Sequence, residues 1–516
     1  MNGAECLIQT LVAAGIDHCL MNPGTSEMQF VAALDQVPGM RAVPCLFEGV
    51  CAGAADGYAR MTRRPAATLL HLGPGLANAL SNLHNARKAR SAVVNLVGEH
   101  STAHLRCDAP LTADIEGIAR PVSGWVRTVR AAGDIGADAA EAVAAAQWPP
   151  GQVATLIVPA DFSWSPSGPP GTPKAPARCQ APPAEAVREA ARRLRAGKTA
   201  LVMSGSALFG RGLDAAGRIA EATGAPVFAS RYAARVECGG SGFQARRIAY
   251  FPEPAEAMLA GLESIVLVEA QPPVSFFGYP GRRSFLAPES CAFHLLAREE
   301  EDGAAGLEAL AEELGARRPP TLTPAPQPEQ PPDDTPLSAD AIGRIIAVLL
   351  PEGSIVSDEM VSSAEAVSRR LASAARHDHL PVTGGSIGQG LPVALGAALA
   401  CPQRKVVALE ADGSGLYTPQ ALWTMAREQL DVVIVIFANR RYAILEIELR
   451  RTGATEMGPV AAGVIGIGNP DPDWVKLGEG LGVPAYRAAT AGEFRRHFAA
   501  AMAERGPRLI EAVIPR

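Results

Sequence analysis

The chain has 516 residues, room for about three domains, and 48% of them are hydrophobic against 19% charged, which excludes a disordered chain. A net charge of −6 gives no basic footprint for nucleic acid, and no apolar run is long enough to span a bilayer. The nine cysteines are scattered and odd in number, and the N-terminus MNGAECLIQTLVAAG lacks a basic leader, so a reduced, cytoplasmic protein is expected, with neither a disulfide framework nor a zinc site.

Two Pro-rich stretches, 165–183 and 318–336, cannot continue a helix or a central strand and read as extended linkers. They divide the chain into 1–164, 184–317 and 337–516. In the first block HCLMNPG and AVPCLFE read as strand into turn, followed by ATLLHLGPG, SAVVNLVGE and ATLIVPA, with Ala-rich helical stretches such as GVCAGAADGYARM between them. The middle block has TALVMSG, APVFAS and SIVLVEA. The last has GSIVSDE, KVVALEADG, DVVIVIFANR and PRLIEAVI. Continuous β-branched runs separated by helices predict strands buried on both faces of parallel sheets. The expected fold class is α/β, with three doubly wound parallel-sheet domains and ligand groups at the carboxyl ends of strands.

Three strand ends of the first block present Thr25, Glu48 and His71 on one rim. An acid in a first helical turn is favoured by the helix dipole alone; a carboxylate among Ala and Gly residues also suits a ligand partner. TGGSIGQGLP, with Gly385, Ser386 and Ile387, opens a helix; its glycines let a flat ligand reach the backbone, or let a helix cross a sheet closely. Asp412 follows the strand VVALEA, and Asn439 ends the next, VVIVIFA. Alone each is a turn or a cap. Paired at two strand ends they offer oxygens to a hard cation such as Mg²⁺, with Gly413 and Ser414 beside them for a phosphate.

Together these residues resemble the thiamine diphosphate enzymes of the acetolactate synthase and benzoylformate decarboxylase (2-oxo acid decarboxylase) group. The resemblance covers essentially the whole chain and implies a pyrimidine-binding domain at 1–164, a central domain at 184–317 and a diphosphate-binding domain at 337–516. It implies Mg²⁺ held by Asp412, Asn439 and the main-chain carbonyl of Arg441, with the diphosphate at Gly413 and Ser414. Glu48 is then the residue that binds the aminopyrimidine ring, Gly385 supplies a carbonyl to its amino group beside Ser386, and Ile387 is the wedge that bends the cofactor. His71 matches a proton-transfer histidine, and Thr25 stands where relatives carry a serine. The family's G-D-G and N-N read here as Ala411-Asp412-Gly413 and Ala438-Asn439, so each pair of motif ends keeps its metal ligand and loses its first residue to Ala. A homodimer or homotetramer with the site shared between chains is implied.

The implied reaction is cleavage or formation of a C–C bond at a 2-oxo acid with decarboxylation. Acetolactate synthesis by a catalytic large subunit is one alternative. Another is a non-catalytic paralogue, suggested by the two Ala replacements and opposed by retention of Glu48, Ile387, Asp412 and Asn439. A flavin or dinucleotide in the middle block is disfavoured: Gly205, Gly210 and Gly212 do not make G-x-G-x-x-G, and the block is short, so no FAD is expected. Phe276, Phe277, Ile444 and Glu448 are candidate substrate neighbours; His100 and His104 are further candidates.

Overall fold

The computed structural model describes residues 1–321, 326–454 and 456–515; residues 322–325 of the second Pro-rich stretch lie outside these. Three sheets carry the fold, as the apolar runs predict. The first contains β1 (His18–Asn22), β2 (Arg41–Pro44), β3 (Ala66–Leu70), β4 (Val93–Glu99), β5 (Trp125–Thr128) and β6 (Val153–Pro159), ordered β2-β1-β3-β4-β6-β5 and parallel throughout. β3, β4 and β6 are buried at every residue, which is why they read as unbroken apolar runs.

The middle sheet contains β7 (Thr199–Met203), β8 (Val227–Ala229), β10 (Arg246–Arg247), β11 (Ser264–Val268) and β12 (Ala292–Ala297), ordered β10-β8-β7-β11-β12. Between β8 and β10, β9 (Val236–Cys238) leaves this sheet. It pairs antiparallel with β14 (His377–Pro381) at the edge of the third sheet, His377 opposite Cys238. The third sheet otherwise holds β13 (Ser354–Glu359), β15 (Val406–Ala411), β16 (Val432–Ala438), β17 (Ala485–Ala488) and β18 (Arg508–Val513), ordered β17-β18-β16-β15-β13-β14-β9.

The first and third domains share one hydrophobic core, in which Leu20, Val43 and Leu76 join Ile355, Leu391, Val432 and Trp474. Its seam is the crossing of the Glu48–Thr62 helix with the Gly390–Ala400 helix. Small residues make it possible: a Cβ on Gly57 would lie 2.2 Å from the Val393 carbonyl oxygen, and one on Gly396 would lie 1.9 Å from that of Ala54. The small-residue face beside Glu48 thus packs within the chain. A buried ion pair pins the same seam: Arg60 holds Asp56 and donates to the Pro381 carbonyl at 2.9 Å and the Thr383 hydroxyl at 3.0 Å.

All nine cysteines are free, and no helix among the described residues is long and apolar enough to cross a membrane.

Candidate functional site

Strand order brings the first rim together, because β1, β2 and β3 are neighbours and each ends in a candidate residue. Glu48 is the first residue of its helix, entered from extended Phe47, and is 7% exposed. Asn78 donates to its Oε2 at 3.0 Å. Its Oε1 lies over Gly75, where a Cβ would come within 3.2 Å of it and 3.4 Å of His71 Cβ. Any side chain at position 75 would therefore crowd both Glu48 and His71.

His71 Nδ1 lies 2.8 Å from Glu27 Oε2 and 3.3 Å from Ser26 Oγ. Thr25 is exposed; the short 3-10 turn Thr25–Glu27 turns Ser26 and Glu27, rather than Thr25, onto the histidine. Glu27 was not singled out in the sequence; an acid after a Pro-Gly turn signals nothing until β1 and β3 are known to be neighbours. His100 and His104, beyond β4, form an edge-on ring pair at 5.3 Å, and the buried Nε2 of His100 has no hydrogen-bond partner among the described residues.

On the third sheet, β15 and β16 lie side by side and end at Asp412 and Asn439. Asp412 Oδ1 accepts from the Gly413 N–H at 2.9 Å and Oδ2 from the Arg440 N–H at 2.6 Å. Burial pushes the carboxyl up to about 6, against the pull of those N–H groups. Asn439 Oδ1 accepts from the Arg441 N–H at 3.0 Å. The turn pairs with 465–467 through the Arg440 carbonyl and the Tyr442 N–H, leaving the Arg441 carbonyl out of those bonds. Each Asp412 oxygen accepts a single N–H and so keeps a lone pair. A carboxylate, an amide oxygen and a carbonyl on two neighbouring strand ends are all hard donors, and they fit Mg²⁺. Tyr442 covers Gly413, where a Cβ would meet its ring at 2.5 Å. The Ser414 hydroxyl is turned inward, 2.6 Å from Glu410 Oε1, so its backbone, and not its side chain, is the group that could meet a phosphate.

Two residues missed in the sequence sit beneath this rim. Glu359 and Glu410 are both fully buried on β13 and β15, and burial raises both carboxyls, Glu359 to about 7. Glu359 accepts from the N–H groups of Gly388, at 3.0 Å, and Gly390, at 2.8 Å. It thereby ties the glycine loop to the strand next to the one that ends at Asp412.

That loop is also tied to the first domain. Asn82 donates to the carbonyls of both Gly49, at 2.9 Å, and Gly388, at 3.1 Å; Asn85 donates to that of Ser386 at 2.7 Å. Ile387 is half-buried. Gly385 takes φ +77°, and a Cβ there would lie 2.4 Å from the Phe276 ring. Phe276 packs against Tyr232, Tyr250 and Phe277. Beyond this aromatic wall Tyr279 donates to Glu448 Oε1 at 2.9 Å. Phe276 therefore reaches the glycine loop, and Glu448 is linked to the central domain through Tyr279.

A separate cavity of about 390 Å³ lies between the first and central domains, at the carboxyl ends of β7 and β11. Its strand-end donors are already engaged. Glu269, at φ +51°, accepts from the Ser206 N–H at 2.5 Å and the Gly303 N–H at 2.7 Å.

Two family models match the chain: thiamine pyrophosphate enzyme, N-terminal TPP binding domain, over residues 1–118, and the C-terminal TPP binding domain over residues 363–512. The chain is 49% identical to a protein of Mycobacterium tuberculosis strain H37Rv provisionally named acetolactate synthase large subunit IlvX, across 100% of this chain and 99% of that one. It is 28% identical to benzoylformate decarboxylase of Pseudomonas aeruginosa, across 96% of each. Among solved structures, the thiamine diphosphate-dependent 4-hydroxybenzoylformate decarboxylase of Rhodococcus jostii RHA1 shares the fold, with a TM-score of 0.85 at 24% identity, covering 100% of this chain and 99% of that chain.

Proposed function

The chain belongs to the thiamine diphosphate-dependent enzymes, a family with decarboxylase and acetolactate synthase members, and we propose that it uses thiamine diphosphate and Mg²⁺ to break or form a C–C bond at a 2-oxo acid with decarboxylation. The observation that carries this reading is the pairing of Asp412 with Asn439 at adjacent strand ends, in a chain that also keeps a buried glutamate, Glu48, on the rim of the pyrimidine-binding fold.

Asp412, Asn439 and the carbonyl of Arg441 would hold the ion, and Gly413 with the backbone of Ser414 would line the diphosphate. Glu48, the carbonyl of Gly385 and the side chain of Ile387 would hold and orient the aminopyrimidine, with Ser386 fastened by Asn85. The cofactor, when bound, supplies a carbon nucleophile and an electron sink. The protein then has to place and move protons. Glu48 serves the ring nitrogen, and His71, an imidazole that can both accept and donate a proton, carries a proton between cleft and substrate. Thr25, exposed at the same strand end, borders the mouth of that cleft.

No flavin is needed in this reading, and Glu269 supports that. Its carboxylate takes the strand-end and helix-start N–H groups that a dinucleotide phosphate would use. Apolar side chains are exposed beside both halves of the site, among them Leu46, Tyr417, Val460 and Val464. They support a homodimer or homotetramer that shares the site between chains. The free, mostly buried thiols support a cytoplasmic setting.

Acetolactate synthesis is the second reading, favoured by the 49% identical relative. Calorimetric titration with thiamine diphosphate and Mg²⁺ tests the cofactor assignment; absence of binding would leave a non-catalytic paralogue. Release of CO₂ from pyruvate, benzoylformate and branched 2-oxo acids, with analysis for aldehyde against acyloin or acetolactate, separates decarboxylase from synthase.

A further inference from the structure

The surroundings of His71 are built around one carboxylate. Glu27 is 3% exposed, and its Oε2 receives both the Gly24 N–H, at 2.7 Å, and His71 Nδ1, at 2.8 Å. Two positions without side chains make room for the pair. A Cβ on Gly24 would lie 2.3 Å from the His71 ring, and one on Gly98, in the next strand but one, would lie 1.6 Å from Glu27 Oε1. That Oε1 is buried and has no hydrogen-bond partner among the described residues. A carboxylate accepts and does not donate, so the proton on the shared bond belongs to Nδ1. Ser26 Oγ, 3.3 Å away, adds a second acceptor on the same side.

We propose that Glu27 is a positioning residue for His71: it holds Nδ1–H, sets the tautomer, and leaves Nε2 as the unprotonated nitrogen that the cleft can use. The inference rests on the reading of His71 as the proton carrier, but its geometry stands independently of the cofactor. Neighbouring carboxylates and carbonyls commonly orient histidines in this way. Here the orienting group comes from the end of β1 and the histidine from the end of β3.

The test uses the full-length protein without added cofactor. Diethyl pyrocarbonate acylates the unprotonated nitrogen of a neutral imidazole, and the label on each histidine is followed by peptide mass spectrometry. His71 is accessible to it, with 22% of its side chain exposed, and exposed His104 serves as internal control. Glu27→Met removes the acceptor while filling the space, so the ring is free to exchange tautomers. Labelling of His71 should fall roughly fivefold relative to His104. Glu27→Gln keeps an oxygen for Nδ1–H and should label His71 within about twofold of the wild-type rate. In turnover, Glu27→Met should lower kcat and leave KM unchanged. Wild-type labelling in Glu27→Met, or an equal fall in both variants, would overturn the proposal. Should His71→Gln turn over normally, His71 loses its role as proton carrier, while the labelling still judges Glu27.

Discussion

Glu48 has one amide partner, Asn78, on Oε2, and its Oε1 lies over Gly75, on the His71 side. A carboxylate so sparsely held inside a protein is unusual, since buried acids are ordinarily paired. Glu48→Gln keeps the size and one hydrogen-bonding pattern but removes the ability to exchange a proton with a ring nitrogen. The expected outcome is thiamine diphosphate affinity within a few-fold of the wild type and turnover lower by about 10²- to 10⁴-fold, the usual worth of general acid–base catalysis. Calorimetry and CO₂ release measure the two separately; unchanged turnover would remove Glu48 from the mechanism. At this scale the sequence exposes residues that end strands. Glu48, His71, Asp412 and Asn439 could all be picked out because an apolar run stops at them. Glu27, Glu359 and Glu410 could not. Glu27 depends on which strands become neighbours, and Glu410 sits inside an apolar strand, opposite Glu359 of β13 and bonded by the Ser414 hydroxyl, an arrangement that appears only once the sheet has formed.

Edge strands such as β5, β12 and β17 escape the sequence because they are only partly buried, and β14 escapes it because its burial is supplied by another domain. HDHLP at 377–381 is too polar to read as a strand, yet β14 is buried at every residue because β9 of the middle block covers its edge. His377 shows the energetic consequence. Its Nδ1–H donates to the Ala375 carbonyl at 2.9 Å, its buried Nε2 has no partner among the described residues, and burial lowers its pKa to about 4. An unfolded histidine titrates near 6.5. The neutral ring therefore favours the fold above that value, and stability is lost as pH falls from about 6.5 towards 4, by roughly 3 kcal/mol at the lower limit. His377→Asn should flatten this part of the melting temperature–pH profile relative to the wild type; an identical slope in the variant would contradict the assignment. The helix crossing offers a sharper case. Gly57→Ala would push a methyl against the Val393 carbonyl oxygen and should cost about 2–3 kcal/mol in denaturant unfolding. Gly133→Ala, where nothing lies within 4 Å, should be close to neutral.

The chain divides in sequence at its Pro-rich stretches, but its energetics divide differently. The middle domain has apolar clusters of its own, around Leu201, Val266 and Leu307 and around Phe228 and Ile265. The first and third domains have such clusters too, around Leu11 and Leu96 and around Ile346 and Phe494, but they also complete each other in a further, shared core. The Gly390–Ala400 helix shows why: every residue from Gly390 to Leu399 is buried, so it has no solvent face. A helix apolar all round is stable only when covered on all sides, and the Glu48–Thr62 helix is one of its covers. Composition alone could not show this, because an Ala- and Gly-rich helix looks the same whether it faces its own chain or another. Scanning calorimetry should therefore show the first and third domains unfolding in one transition, even though a domain and a linker separate them in sequence. An isolated 337–516 fragment should expose that helix and aggregate, detectable by light scattering. A soluble, cooperatively melting fragment would show that the third domain holds its core alone, and that the seam is an interface between finished domains and no part of a common core.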